Sequence, residues 1–510
     1  MSERLAFSLG TRRDVDTASP DFIGAVTAVA PPAGINVPTA PPPALAETKD
    51  WAFTWTLVFT AVLFLRPQDV FPPLGALHLA EVSATLGLLA LFMGRLARRQ
   101  SVTRMTAELA GVLALGGIML LTAPFSIWFG GAVNVFFELY SKVILVYLLA
   151  VNVLLSPRRL ERLTWILVIA LGYLGFRAVL DYARGVNVIR GGTRVMGSVG
   201  GMMQNPNDMA LNMVAFLPLA AFLAMQAKTL PKRLVAAWCG VMMMGAIVAT
   251  GSRGGFLGFA VMLIVLAIFA ARKRPGFVFA GALLVICALP LAPSSYWQRI
   301  ASITDDSKDD VESSQARRTL MRESFDAFVE RPLTGVGAGQ FKDWNPQGRT
   351  EAWHEAHNVW LQVGAELGIF GIGVFLFLVF RAFHAVFKSR RLLRRSRPRR
   401  ARTSAGAATA GGAPGAIDGP GIADAEFLDA HSAAMAASLA GWFVCAFFAS
   451  VAYNWTFYYL LALAAAPREI LKARGLAAAT LASAGRMRGR IGKTPFTPSL
   501  LEGAARKAGA

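Results

Sequence analysis

Three stretches of this sequence carry residue types that do chemistry. They are "GSRGG" around Arg253, "SSQARRTLMRESF" with Arg317 and Arg318, and "EAHNVWLQVGAE" with His357, Asn358 and Glu366. Arginine holds phosphate oxygens through planar, bidentate hydrogen bonds, which strengthen where water is excluded. A neutral imidazole near pH 7 can take a proton from an attacking hydroxyl, and His354 is a second imidazole one turn before His357. Each group also has a plainer reading. An arginine at a hairpin can snorkel to lipid headgroups, a histidine can be an interfacial anchor, and Glu366 can simply pair with an arginine. No His/Asp/Glu set has metal-ligand spacing, and "DDSKDDVE" (305–312) is too irregular for a calcium loop. "PLTGVGAGQ" lacks the strand–helix context of a dinucleotide fingerprint, and no Walker loop is present. The expectation is therefore chemistry without metal, cofactor or ATP.

The elements that must position these groups belong in lipid. The chain has 510 residues, 55% hydrophobic and 16% charged, with a mean hydropathy of +0.48. Soluble domains carry nearer a quarter charged residues. The net charge of +20 could suggest nucleic acid. The Lys and Arg instead form short clusters between apolar runs, without the interleaved aromatics of a nucleic-acid surface. Cys239, Cys287 and Cys445 all fall in apolar runs and read as small buried hydrophobes.

A crossing helix needs about 20 apolar residues. Twelve spans are expected, at 51–65, 77–94, 106–123, 134–155, 162–180, 207–227, 234–250, 255–271, 276–292, 358–387, 433–451 and 454–467. Every even-numbered span exits into a basic stretch such as "RLARRQSVTR", "SPRRLER" or "KSRRLLRRSRPRRAR". The positive-inside rule places those loops and both termini in the cytoplasm. The odd exits, "TGSRGG" and the long loop 293–357 among them, then face outward. The fold class is all-α and polytopic, with one long periplasmic loop between helices 9 and 10.

The expected divisions follow. Residues 1–50 are a disordered tail without a cleavable signal, 51–292 hold helices 1–9, and 293–357 form the outer loop with short amphipathic helices. Residues 358–402 hold helix 10 and a basic segment, 403–430 a low-complexity linker, 433–470 helices 11 and 12, and 471–510 a basic tail. In "RTLMRESFDAFV" the apolar residues are spaced for a helix lying against the outer surface.

In order along the chain, several motifs resemble the O-antigen ligase and polymerase superfamily over residues 51–470. They are Asn-Pro-Asn-Asp (205–208), Ser-Arg-Gly-Gly (252–255), "RPLTGVGAGQF" (331–341) after an arginine, and "HNVWLQVGAELGIFG" (357–371). "FLRPQDVFPPLG" is similar to openings in some members. The resemblance implies a bacterial inner-membrane glycosyltransferase with its site open to the periplasm. It would take a glycan from undecaprenyl diphosphate, without nucleotide sugar or metal, to an acceptor hydroxyl on lipid A core, another glycan or a protein. Arg253 matches the hairpin arginine and would bind the donor diphosphate. The loop arginine matches Arg317, with Arg318 the alternative in a neighbouring register. His357 would activate the acceptor, with Ser252, Gly254, Asn358, Glu366, Asn205 and Asn207 in support. The chain departs from the common pattern at Met321, where a tryptophan often stands. The alternatives are a protein O-oligosaccharyltransferase of the same superfamily and a non-catalytic polysaccharide or lipid-sugar transporter. Carriers often show paired internal repeats. Here the polar features gather on one face, which favours an enzyme.

Overall fold

The structure is a computed structural model. It describes residues 50–189, 192–198, 203–270, 294–301, 313–347, 349, 354–395 and 420–491, with isolated positions between 275 and 286. The chain is mostly helical. In order, the helices are α1 Trp51–Leu65, α2 Leu79–Ala97, α3 Ala107–Thr122, α4 Phe129–Val153, α5 Pro157–Arg184, α6 Pro206–Gln226 and α7 Leu230–Ala249. They continue as α8 Arg253–Ala270, α9 Ser294–Ala301, α10 Ser313–Glu330, α11 Val359–Arg395, α12 Pro420–Cys445 and α13 Trp455–Ile491. A two-residue ribbon, β1 Val188–Ile189 against β2 Arg194–Val195, folds over the end of α5 with Val188 opposite Val195.

Among the described residues, nine helices are long and apolar enough to cross a membrane. α1 has only 15 residues, and α13 carries Arg468, Glu469 and Lys472 within its apolar run. The expected ninth span, 276–292, lies almost wholly outside the described residues, as do 1–49 and 403–419. Two expected boundaries shift. Residues 420–430 of the expected linker are helical, because α12 starts at Pro420 and already buries Leu428 and Asp429. Residues 471–491 of the expected tail continue α13, through an Ala- and Leu-rich run of strong helix formers.

Helix starts follow local chemistry. The Asp50, Thr106, Ser156 and Asn205 side chains each accept a backbone N–H at the head of α1, α3, α5 and α6, with Pro157 and Pro206 in the first turn. Each such cap is worth about 1 kcal/mol. α6 is buried almost all round, as an apolar helix in a bundle centre must be. Small residues let its neighbours approach: Gly441 of α12 lies against Val214 of α6 and Met262 of α8, and Gly255 of α8 lies against Ala210 of α6. Such contacts drive helix association where no hydrophobic gain is on offer.

The two ends of the bundle differ. At one end α3, α11 and α13 meet around Glu108, which is fully buried. Its carboxylate accepts two bonds from Arg468 at 2.9 Å and two from Arg381 at 2.9 and 2.6 Å. Glu469 accepts from Arg468 and Lys472 at 2.9 Å each. Removing one partner from such a cluster costs about 3–5 kcal/mol. At the other end lie segments expected to face outward: Ile127 N–H donates to the Val336 carbonyl at 3.0 Å, Arg194 bonds Asn207 and Thr250, and His357 N–H bonds Ser450.

The loop 332–340 is stitched into a break in α11. Gly368 has φ 64 and ψ −161, so the helical ladder stops there. Ile369 N–H then turns to the Pro332 carbonyl (2.8 Å), and the freed carbonyls of Ala365 and Glu366 accept from Val336 (2.9 Å) and Gly337 (3.0 Å). Gly339 N–H donates to the Glu366 carboxylate at 2.8 Å. Gly335 has φ 67, and a Cβ there would run into the Glu366 carbonyl. We therefore expect Gly335→Ala to destabilise the purified protein, since the left-handed backbone alone costs roughly 1–2 kcal/mol. Gly75→Ala, where nothing lies within 4 Å, serves as the control. Equal melting temperatures for the two variants would refute this stitching.

Candidate functional site

The start of α8 carries the first group. Arg253 is the first residue of this helix, not the tip of a five-residue turn, because the Ser252 hydroxyl caps it by accepting from Gly255 N–H at 3.1 Å. Positive φ is confined to Gly251 (φ 55). Gly254 instead has a packing role, lying against Phe448, where a Cβ would come within 2.6 Å. Arg253 is only 8% exposed although it sits at a helix end. That burial sets it apart from a headgroup snorkeller, whose charged head stays in water.

A hydrogen-bonded chain surrounds it. Ser252 Oγ donates to Asn207 Oδ1 at 2.9 Å, and the same oxygen accepts from Arg194 Nη2 at 2.9 Å. Arg194 Nε donates to the Thr250 carbonyl at 2.8 Å. Asn205 Oδ1 accepts Asn207 N–H at 2.8 Å, which fixes the Asn207 backbone. Arg194 was not legible in the sequence, because "ARGVNVIRGGTR" holds three arginines without a periodicity to separate them. β2 places this one, 4% exposed, between α6 and the head of α8.

His357 lies at the head of α11 in a left-handed conformation (φ 46) that L-residues seldom adopt. Its N–H donates to Ser450 Oγ at 2.8 Å. Ser450 belongs to the segment between α12 and α13, and that segment is tied again where Ala452 N–H donates to Gln362 Oε1 at 3.2 Å. Burial, then the charges of Arg317, His354 and Arg194, push the His357 imidazole down to about 4, so it is neutral at pH 7. Those charges come from α10, from the segment just before α11 and from β2. Arg317 is half-buried, whereas Arg318 and His354 are exposed.

The supporting residues divide by role. Asn358 is buried and caps α11, its Oδ1 accepting from Trp360 (3.0 Å) and Leu361 (3.1 Å). Glu366 is buried, and its carboxylate accepts from the Gly339 backbone rather than pairing with an arginine. The expected amphipathic helix is present as α10, with Leu320 and Ala327 buried in a small core that includes Val336, Phe341, Trp344 and Ala365. It packs on α11 rather than lying free on the surface. Met321 points outward, 45% exposed. Arg349 clamps this loop: its guanidinium lies 4.5 Å from the Phe341 ring, pairs with Glu323 at 3.2 Å, and donates to the carbonyls of Phe341, Trp344 and His354.

Beside these groups lies a cavity of about 540 Å³. It reaches Ala356 and Ser450, on either side of the His357 backbone bond, and its wall includes Glu366, Glu355 and Asp208. Arg66, Lys142 and Lys342 also line this wall. The π-helical turn Phe136–Tyr140 within α4 brings Glu138 and Leu139 to this wall. Asp208 falls inside the Asn-Pro-Asn-Asp motif, but sequence reasoning passed over it; Glu355 and Ser450 carried no signal.

The arrangement offers a polar chamber that reaches the residues on either side of the His357 backbone bond; His357, Arg194, Arg253 and Arg317 do not themselves line it. Residues 238–376 match the family described as O-Antigen ligase, a stretch that takes in Arg253, Arg317, His357 and Glu366. No curated protein matches the chain. The apolar helices and this match over residues 238–376 together support a multi-pass membrane protein similar to the O-antigen ligase superfamily, whose members are generally glycosyltransferase-like.

Proposed function

We propose that this protein transfers a glycan from undecaprenyl diphosphate to an acceptor hydroxyl, at the periplasmic face of a bacterial inner membrane. The observation that carries this reading is the neutral imidazole of His357 set beside Arg317 and Arg194, with Arg194 tied through Asn207 and Ser252 to the head of α8. The acceptor oxygen attacks the anomeric carbon as the bond from that carbon to the diphosphate oxygen breaks. The hydroxyl proton passes to His357, and the leaving diphosphate takes the electron pair. Its growing negative charge is stabilised by Arg253, Arg317 and Arg194, fixed before the reaction starts. A single displacement inverts the anomeric configuration.

The same orientation leaves both termini and the 403–419 segment in the cytoplasm. The mixed charge of the 540 Å³ chamber suits a hydroxyl-rich saccharide, whose many donors and acceptors can meet carboxylates and cations together. Ligase and polymerase differ only in the acceptor. A gel of envelope lipopolysaccharide from a strain lacking this gene, beside the complemented strain, is expected to lose its ladder of long chains. Bare core with polymer left on its lipid carrier would mark a ligase, and core bearing one repeat a polymerase. An unchanged ladder, with secreted polysaccharide and glycoproteins also unchanged, would refute the reading.

A further inference from the structure

A cleft of about 620 Å³ opens between the first turns of α5 and α7, at the end of the bundle away from His357. Its walls are two facing stripes. On α5, Arg158, Arg162, Trp165 and Ile169 recur at intervals of four, three and four, so they share one helix face. Gly172 is the next residue on that face. On α7, Lys232 and Val235 line the cleft, and Cys239 is one turn further along. The helices cross where Gly172 lies against Cys239 and Gly175 against the Met242 backbone, so closely that a Cβ at either glycine would clash. On the side of their first turns they part, and a wedge opens between them.

The wedge is graded from charge to hydrocarbon. α5 has 28 residues and is about 42 Å long, more than the hydrocarbon layer of about 30 Å, so its ends reach the headgroups. Arg158 and Arg162 stand in its first turns, Trp165 follows where indole rings gather at a lipid boundary, and Ile169 lies deeper. Ile169 and Val235 are 46% and 44% exposed, an apolar lining that the protein itself leaves uncovered. Among the described residues neither Arg158 nor Lys232 is ion-paired, and they stand on opposite walls. Arg162 adds to the positive field, and Glu161 is the single carboxylate of the lining. A headgroup with an ammonium would bring its cation against this excess, whereas a net negative one is attracted. From Arg158 to Ile169 the helix rises about 16 Å, within the depth of one leaflet. The occupant that fits therefore joins an anionic head to an apolar chain.

We propose that this wedge binds one anionic phospholipid of the phosphatidylglycerol type, with its phosphate at the mouth beside Arg158 and Lys232 and its acyl chain along Trp165, Ile169 and Val235. The site is separate from the glycan-transfer site and does not depend on that reading.

The test is native mass spectrometry of the full-length protein extracted from vesicles of equal phosphatidylglycerol and phosphatidylethanolamine. Wild type is expected to retain one phosphatidylglycerol. Arg158→Gln/Lys232→Gln changes two exposed side chains and should cut that retention about tenfold or more, the loss expected for charge-assisted hydrogen bonds. Val235→Trp, which fills the wedge and leaves every charge in place, should do the same. Arg98→Gln/Arg99→Gln removes as much charge from the exposed turn after α2, at the same end of the bundle, and should leave retention unchanged. A wild-type preference for phosphatidylethanolamine, or equal retention by wild type and both wedge variants, would overturn the proposal. So would a loss on removing the charges without one on filling the wedge, or an equal loss from the Arg98 and Arg99 pair, since either result reports general attraction to anionic lipid.

Discussion

His357→Ala is expected to lower glycan transfer by about 10²- to 10⁴-fold, the usual contribution of a positioned general base, while the amount of protein in the membrane stays unchanged. The residue is half-buried at the head of α11, so truncation opens no core cavity. What is lost is a neutral proton acceptor held by an unusual backbone, φ 46, and a bond to Ser450. The pH dependence distinguishes a base from a mere spacer. With its imidazole lowered from the ordinary 6.5 to about 4, His357 keeps its proton-accepting form at every pH well above 4. The acid limb of kcat/KM, which reports the free enzyme, should therefore fall near pH 4. Arg317 depresses this group, so Arg317→Gln should move that limb to higher pH. Bound donor diphosphate offsets the same arginine charges, so the limb of kcat should also lie higher than that of kcat/KM. Stability runs in the same direction: between 6.5 and about 4 the unfolded chain takes up a proton that the folded one refuses, so acidification through that window destabilises the fold. Wild-type transfer by His357→Ala would remove the residue from the reaction.

Arg253→Ala should cost about 10²–10³ in kcat, the scale of removing one preorganised donor to a developing oxyanion. Arg253→Lys should recover little of it, because a point charge cannot reproduce two parallel hydrogen bonds. The contrast at α10 is equally informative. The charge of half-buried Arg317 acts on His357 whereas Arg318 is exposed, so Arg317→Ala should resemble Arg253→Ala, and Arg318→Ala should have a much smaller effect. Assays with a lipid-linked donor in detergent would measure all three. A larger loss from Arg318→Ala than from Arg317→Ala would reverse the register of the loop, and full activity in Arg253→Ala would end its assignment to the diphosphate.

Ser450 links the two halves of this picture. Its hydroxyl accepts the His357 N–H from an element about ninety residues further along the chain, a separation that no local pattern encodes. Arg194 is similar. Its role as a link depends on Asn207 and Thr250 lying beside β2, and nothing in "IRGGTRVMG" distinguishes it from the arginine four residues earlier. The buried cluster around Glu108 was equally silent. A glutamate after Thr106 reads as an ordinary first-turn acid, and only the approach of α11 and α13 turns it into the partner of Arg381 and Arg468.

By itself the sequence determined what local periodicity and one-dimensional charge can carry. Apolar runs, proline and Ser/Thr/Asn/Asp caps marked most of the helices, and the ordered motifs marked Arg253, the Arg317–Arg318 pair and His357. Hydrophobicity and capping act within a few residues of their cause, so they survive in a linear string. The tertiary structure alone decided that Ser450 accepts the His357 N–H, that Glu366 holds a backbone loop, and that Gly335 packs on Glu366 while Gly368 packs on Pro332. Those facts are contacts between distant segments. They arise where a helix breaks and a loop takes over the hydrogen bonds it leaves open.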